Sequence, residues 1–378
     1  MRFVDVTMFY TAESGGVRTY LTAKGNWLSQ WTEIEHYVVA PDLIDGRLDE
    51  KFIGVPSVPI PYAHGYRMPW SCRLAAQRIV QLKPDLIEVG DPYQLAWAAL
   101  RAKEKLDVPA VAFCHSDLPR LVGRRFGSNA QRVAARYLRA LYRHFDLVLA
   151  PSQVMARKLR DLGLRNVAHQ PLGVDTVTFS PSRRKPDLRQ RLGLPEDTRL
   201  LVYAGRFSRE KRLPLLIDAI RMLGKPYHLL MVGSGEKLPP APHVTRLPFQ
   251  RDIASLAELV ASCDALVHAG DQETFGLIVL EAMASGIPVV GPAAGGVGEL
   301  VEPDTGVLVE PGCAEALAEG IDRLYRLDMA AMGAAGRRKV VDGYEWDRVI
   351  QQLMHHYAGL FATHQRPLLG LETSYAGK

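Results

Sequence analysis

Two glutamates, Glu273 and Glu281, are separated by seven residues in the run GDQETFGLIVLEAMASG. The first stands just before a glycine, Gly276, and the second lies along the helical pattern that follows. A helix N-terminus offers N–H groups and partial positive charge, which suits a phosphate. Gly276 lets a ligand approach the backbone closely. A carboxylate beside that point accepts hydrogen bonds from sugar hydroxyls. Leu277, Leu280 and Met283 also give the helix an apolar face, so the glutamates alone read as surface groups of an ordinary amphipathic helix. Arg206 and Lys211 form a second constellation, five residues apart at the junction of an apolar run and a helical pattern. Arginine offers a planar fork and lysine a point charge, and together they fit a diphosphate. With Arg209 and Arg212 beside them, the same residues also describe a solvated basic turn.

These residues need a scaffold that delivers loops to one edge. Short apolar runs alternate with helical patterns along the whole chain. Strands are expected at Phe3–Thr7, His36–Ala40, Leu86–Val89, Val108–Cys114, Leu147–Ala150 and Val167–Pro171, with helices between several of them, such as Ser71–Gln81 and Ala130–His144. Beyond a proline-rich, polar stretch, Ser180–Pro195, read as a linker running into a short helix, the pattern restarts. Strands are expected at Leu200–Ala204, His228–Val232, Val244–Leu247, Ala265–His268, Val289–Gly291 and Val307–Val309. This alternation predicts an α/β fold with parallel sheets covered by helices on both faces. Glu345–Ala362 is a further helical pattern carrying Trp346, Tyr357 and Phe361. The expected organisation is a first domain over residues 1–175, a second over 176–345, a helix over 346–365 crossing back to the first, and a poorly ordered tail over 366–378. In such folds ligands meet the loops at strand C-termini. Gly16, in the Gly15–Gly16 turn after the first strand, and His115, directly after Val108–Cys114, occupy such positions. A lone glycine pair is also a plain tight turn, and a lone histidine is also a structural residue.

The wider text resolves these alternatives. ETFGLIVLEAMASGIPVV, GGVGELV (Gly295–Val301), TGVLVEPG (Thr305–Gly312), AGRFSREKRLPLLIDAI (Ala204–Ile220), LGVDTVTFSP, ESGGV and CHSD together span nearly the whole chain. The chain resembles the retaining glycosyltransferases of the GT-B fold, in group 1, family 4, which include phosphatidylinositol mannosyltransferases and sucrose-phosphate synthase. The resemblance implies two Rossmann-like doubly wound domains facing across a cleft. It implies transfer of a hexose from a nucleotide-diphosphate sugar (UDP- or GDP-linked) to a hydroxyl acceptor, a lipid or lipid-linked glycan in first place. By resemblance, Arg206 and Lys211 hold the donor diphosphate, Glu273 touches the transferred sugar and Glu281 grips the ribose. Backbone N–H groups of Phe275, Gly276 and Leu277 meet sugar or phosphate, and Gly16 and His115 reach the donor from the first domain. Gly233 and Leu247 lie in the stretches Val232–Glu236 and Arg246–Arg251, expected to frame the nucleotide and base, and Asp117 falls on the acceptor side. Glu299 either orients the loop Gly295–Gly298 or answers the local helix dipole. The implied chemistry is front-face attack, with the departing phosphate oxygen taking the acceptor proton. A nucleotide-sugar 2-epimerase and a non-catalytic nucleotide-sugar-binding partner share these motifs and stay open as alternatives.

Bulk properties narrow the partners. Four cysteines without a C-x-x-C pair give no zinc or disulfide framework. No D-x-D motif occurs, so no metal or other cofactor is expected. A net charge of +5 is mild, and without a zinc-finger, helix-turn-helix or RNP signature it gives no reason to expect nucleic acid. Seven arginines fall between Arg120 and Arg143, interleaved with Leu121, Val122, Phe126, Val133, Tyr137, Leu138 and Leu141. A basic amphipathic pattern of this kind fits an anionic membrane surface, and equally a core-facing helix with a solvated basic face. No signal peptide and no apolar run of about 20 residues is apparent, so a cytoplasmic protein, peripheral at the inner membrane face, is expected.

Overall fold

The computed structural model describes residues 1–10, 15–42, 51–60 and 66–364. Glu13 and Ser14 of the glycine turn, and the tail expected over 366–378, lie outside the described residues. The chain divides into two compact units, one of Met1–Pro171 with Val349–Lys378 and one of Leu172–Arg348.

The first unit holds a seven-stranded sheet. Its strands are β1 (Arg2–Val6), β2 (Glu35–Pro41), β3 (Phe52–Val55), β6 (Leu86–Val89), β7 (Ala110–Phe113), β8 (Leu147–Ala150) and β9 (Val167–His169), in the order β3-β2-β1-β6-β7-β8-β9. All neighbours pair in parallel. β6 and β7 are buried along their whole length; β7 therefore reads as an unbroken apolar run, while β6 carries the buried Glu88. β3 and the two-stranded antiparallel pair β4 (Ser57–Pro59) and β5 (Arg67–Pro69) were not expected from the sequence. These strands are three or four residues long and rich in proline and glycine, too short to show a period. Three helices of this unit matter below: α1 (Gly16–Leu28), α2 (Leu118–Phe126) and α3 (Ser128–Tyr142).

The second unit carries a six-stranded sheet, also parallel throughout. β10 (Arg199–Ala204), β11 (Tyr227–Val232), β12 (Val244–Leu247), β13 (Ala265–Val267), β14 (Val289–Pro292) and β15 (Gly306–Val309) lie in the order β12-β11-β10-β13-β14-β15. The relevant helices are α4 (Leu213–Leu223), α5 (Leu277–Ala284) and α6 (Gly295–Leu300). The stretch Ser180–Pro195, read as a linker running into a short helix, lies within this unit. It forms a single 3-10 turn and a short helix, buries Leu188, and ties Arg189 to Asp264 at 2.7 Å. Its polar, proline-rich composition is that of a surface segment, which composition alone does not separate from a linker. Both strand orders reverse beside the first strand of the sheet, the mark of a doubly wound, Rossmann-like fold.

A last helix, α7 (Trp346–Thr363), begins in the second unit and continues into the first. Its buried residues Tyr357 and Phe361 pack on Phe3 of β1, with ring centroids 5.5 and 6.3 Å away. The Tyr357 hydroxyl also accepts from Lys24 Nζ of α1 at 2.7 Å. Among the described residues no helix is long and apolar enough to cross a membrane.

Candidate active site

In the second unit the strand order turns between β10 and β13. Loops leaving two such strands diverge and open a crevice beyond their C-terminal ends. Arg206 and Lys211 follow β10; Asp271, Glu273 and Gly276 follow β13. Lys211 closes a single 3-10 turn, Arg209–Lys211, ahead of α4, and its ammonium donates to Glu273 Oε1. A histidine not singled out in the sequence joins them: His268 Nε2 stands 3.3 Å from the same Glu273 oxygen. Next to this cluster Arg212 pairs with Asp271 at 3.1 Å. The Gly296 N–H donates to the Glu273 carbonyl at 2.8 Å, tying the start of α6 to this loop.

Gly276 caps α5 with φ at 107°, a left-handed conformation that favours glycine. It turns the chain so that α5 begins at Leu277, directly beyond the buried Phe275. Glu281 sits in the second turn of α5 and is half-buried. Arg206 is half-buried at the end of β10, where its carbonyl accepts from the Tyr203 hydroxyl at 3.0 Å. Gly233, just beyond β11, and Leu247, the last residue of β12, are in contact: the Gly233 N–H donates to the Leu247 carbonyl at 3.0 Å. Glu299 is half-buried on α6.

In the first unit the corresponding reversal lies between β1 and β6. Gly15 is the N-cap of α1 and Gly16 its first residue. His115 follows β7, half-buried, with its ring stacked on Phe113 at 4.2 Å and tilted against Tyr20 at 5.4 Å. Asp117 caps α2 through the Arg120 N–H at 3.2 Å and pairs with Lys158 at 2.7 Å. Asp91, another residue the sequence reading passed over, lies just beyond β6 and accepts from the Met8 N–H at 2.6 Å and the Thr7 hydroxyl at 2.9 Å.

Comparison with known proteins shows where this arrangement recurs. Residues 184–339 match the family described as glycosyl transferases group 1, and residues 14–178 match glycosyltransferase family 4. A GDP-mannose-dependent alpha-mannosyltransferase of Mycobacterium tuberculosis is 32% identical over 283 residues, 72% of either chain. The chain belongs to the group 1, family 4 glycosyltransferases. A second M. tuberculosis relative, a GDP-mannose-dependent alpha-(1-6)-phosphatidylinositol dimannoside mannosyltransferase, is 29% identical over 94% of this glycosyltransferase and 95% of its own length. Among solved structures, sucrose-phosphate synthase from Thermosynechococcus elongatus shares the fold with a TM-score of 0.80 at 23% identity, over 96% of this chain and 99% of its own.

The charges of the glycosyltransferase's site follow from its burial. Burial pushes the Glu273 carboxyl up, but the Lys211 ammonium and the His268 imidazole outweigh it and hold the group well below the usual carboxylate range. Among the described residues Glu281 has no such partner, and burial pushes it up to about 7. The two glutamates of one motif are therefore unlike in charge: one is a fixed anion, the other a carboxyl that ionises near neutrality. Burial pushes His115 down to about 3, so its ring is neutral through the physiological range. For Asp91, burial outweighs its hydrogen bonds and pushes it up to about 6. His268 did have a sequence signal: it falls at the end of an expected strand, where this fold presents ligand contacts.

Proposed function

We propose that this glycosyltransferase moves mannose from GDP-mannose to a hydroxyl of a membrane glycolipid, with retention at the anomeric carbon and without a metal ion. Both mycobacterial relatives are named for GDP-mannose, and one for a phosphatidylinositol dimannoside. One observation carries the acceptor reading. On α2 and α3 the apolar residues divide: Leu138 and Leu141 are buried, but Phe126 is 67%, Val133 64% and Leu121 38% exposed. Exposed Arg124, Arg125, Arg132 and Arg136 surround them. Single exposed apolar residues are ordinary on a soluble surface, but here three lie on two successive helices that also carry exposed arginines. An interfacial helix accounts for both, because the apolar side chains enter the acyl boundary while arginines meet anionic headgroups.

The mechanism follows from the charges. Lys211, Arg206 and the N-terminus of α5 stabilise the departing diphosphate, the work a metal ion does in other sites. Glu273, held anionic, accepts hydrogen bonds from sugar hydroxyls and fixes the sugar. Glu281 ionises as ribose hydroxyls donate to it. His115, being neutral, offers a polar contact without repelling the positive charge that develops at the anomeric carbon. Phe275, Gly276 and Leu277 line the phosphate approach, Gly233 and Leu247 the base, and Gly16 meets the donor from the first unit. Asp117 serves the acceptor side by holding the start of α2, and Glu299 supports the α6 loop. The acceptor attacks on the face the phosphate leaves, and the phosphate oxygen takes its proton.

Purified protein given radiolabelled GDP-mannose and vesicles containing phosphatidylinositol mannosides tests this. The expected product is an α-linked mannolipid, formed undiminished in chelator. Transfer from UDP-glucose alone overturns the donor, and activity that needs added magnesium overturns the metal-free reading. A glycosyl adduct trapped on Glu273 overturns front-face attack.

A further inference from the structure

His268 is the first residue beyond β13 and is 1% exposed. Its ring is fixed on several sides. Nδ1 accepts from the Gly270 N–H at 3.1 Å. The Tyr203 ring lies 6.0 Å away, tilted by 42°. Gly270 approaches so closely that a Cβ there would come within 2.9 Å of the ring's Cε1. A neutral imidazole whose Nδ1 accepts a hydrogen bond carries its proton on Nε2. That N–H faces Glu273 Oε1 at 3.3 Å. Lys211 donates to the same oxygen, through a long side chain that stays 23% exposed. In the donor-side reading above, on which this inference rests, Lys211 must also serve the diphosphate. The lysine alone then cannot fix the carboxylate.

We propose that His268 is a positioning residue, whose Nε2–H holds Glu273 Oε1 so that the carboxylate keeps one orientation toward the sugar while Lys211 answers the phosphates. The imidazole touches neither sugar nor nucleotide in this role. With Oε1 held, rotation of the carboxylate about its last torsion is arrested, and a mispositioned hydrogen-bond acceptor is costly in a site where geometry sets the rate.

Two amide variants separate the ring's nitrogens. His268→Asn places an acceptor near Nδ1 for the Gly270 N–H and removes the donor to Glu273. His268→Gln places a donor near Nε2. Calorimetry with GDP, which lacks the sugar, should find His268→Asn within about threefold of the wild-type affinity, since the Lys211 contacts remain. Release of GDP from GDP-mannose should be about 10- to 100-fold slower, the loss expected for a hydrogen bond to a charged group. His268→Gln should recover most of that rate. Wild-type rates in His268→Asn, or a His268→Gln as slow as His268→Asn, overturn the proposal. If His268→Asn does not fold, His268→Phe keeps the ring volume without either nitrogen and is judged by the same two measurements. Glu273→Gln is measured alongside. If it is crippled while His268→Asn is not, the positioning role alone falls; if it is fully active, the donor-side reading of Glu273 falls with it. Should the wild type refuse GDP-mannose, the same comparison is made with UDP and UDP-glucose, and a wild type that releases neither nucleotide overturns both readings.

Discussion

Lys211 and Glu273 form an ion pair at the crevice edge of the second unit, and the ammonium helps hold the carboxylate ionised. A lysine placed to meet a leaving diphosphate acts mainly in the transition state, where charge on the phosphate is greatest. Lys211→Ala should therefore slow nucleotide release from the donor by at least ~10²-fold, the usual cost of one such donor. Steady-state assays with and without acceptor check this, and near-native turnover would remove Lys211 from the mechanism. Glu281 gives a prediction of the opposite kind. Its carboxyl stands at about 7 in the folded enzyme against an ordinary 4.5. Such a group favours the fold below the ordinary value. Stability falls as pH rises from about 4.5 to 7, because the unfolded chain has already lost the proton, and the full penalty persists above. Glu281→Gln should match the wild type near pH 4.5 and exceed it at pH 8 by about 3 kcal/mol, read from urea midpoints. The same variant should bind GDP more weakly, since the ribose loses an anionic acceptor.

At the scale of elements, the first unit is joined by a buried polar network. Lys24 of α1 is fully buried and reaches Asp5 of β1 at 2.8 Å, Glu88 of β6 at 3.2 Å and the Tyr357 hydroxyl of α7 at 2.7 Å. Tyr20 donates to Glu88 at 2.7 Å, and His36 of β2 contacts Asp5. One ammonium thus locks two helices to two strands, and Asp5 links β2 to them through His36. Removing the ammonium should leave two carboxylates without their cation in a dry interior. Lys24→Met should cost about 3–5 kcal/mol, the range for breaking a buried ion pair from one side. The double variant Lys24→Met/Glu88→Gln should recover part of that loss, because it removes one of the two carboxylates. Urea unfolding of the three proteins measures both effects. Equal midpoints for wild type and Lys24→Met would mean that the docking of α1 and α7 rests on apolar contacts such as Phe3–Tyr357 and Phe3–Phe361.

At the scale of the whole molecule the open matter is where the enzyme works. If α2 and α3 lie in a membrane interface, Phe126 and Val133 provide the insertion and the arginines the attraction. Phe126→Ser/Val133→Ser should then lower co-sedimentation with phosphatidylinositol-containing vesicles about tenfold or more, each side chain contributing ~1.5–3 kcal/mol when fully buried. Wild-type binding should also weaken as salt rises from about 0.05 to 0.3 M, as screening demands. Release of GDP without vesicles should be unaffected by the double variant, which separates docking from chemistry.

Much of this was legible in the chain itself. The Glu273–Glu281 motif, the Arg206–Lys211 pair and the glycines beside them lie on single strand–loop–helix units. Their geometry is local, and the residue text specifies it. The strands of both sheets were legible for a related reason: parallel strands covered on both faces are continuous apolar runs. β3 and the β4–β5 pair escaped because three or four residues carry no period. In Ser180–Pro195 the short helix was legible but its anchoring was not, because a polar surface segment that packs through Leu188 and Arg189 shares its composition with a linker. Other features belong to the tertiary structure alone. Lys24 and Tyr357 are 333 positions apart, and nothing in either neighbourhood announces a fully buried lysine. Phe126 and Leu138 are both apolar residues in basic helices, yet only the packing decides that one meets solvent and the other the core. The two glutamates look equivalent in the sequence. Only the fold gives Glu273 a lysine and a histidine and leaves Glu281 with burial alone, because a charge is set by what surrounds it in space.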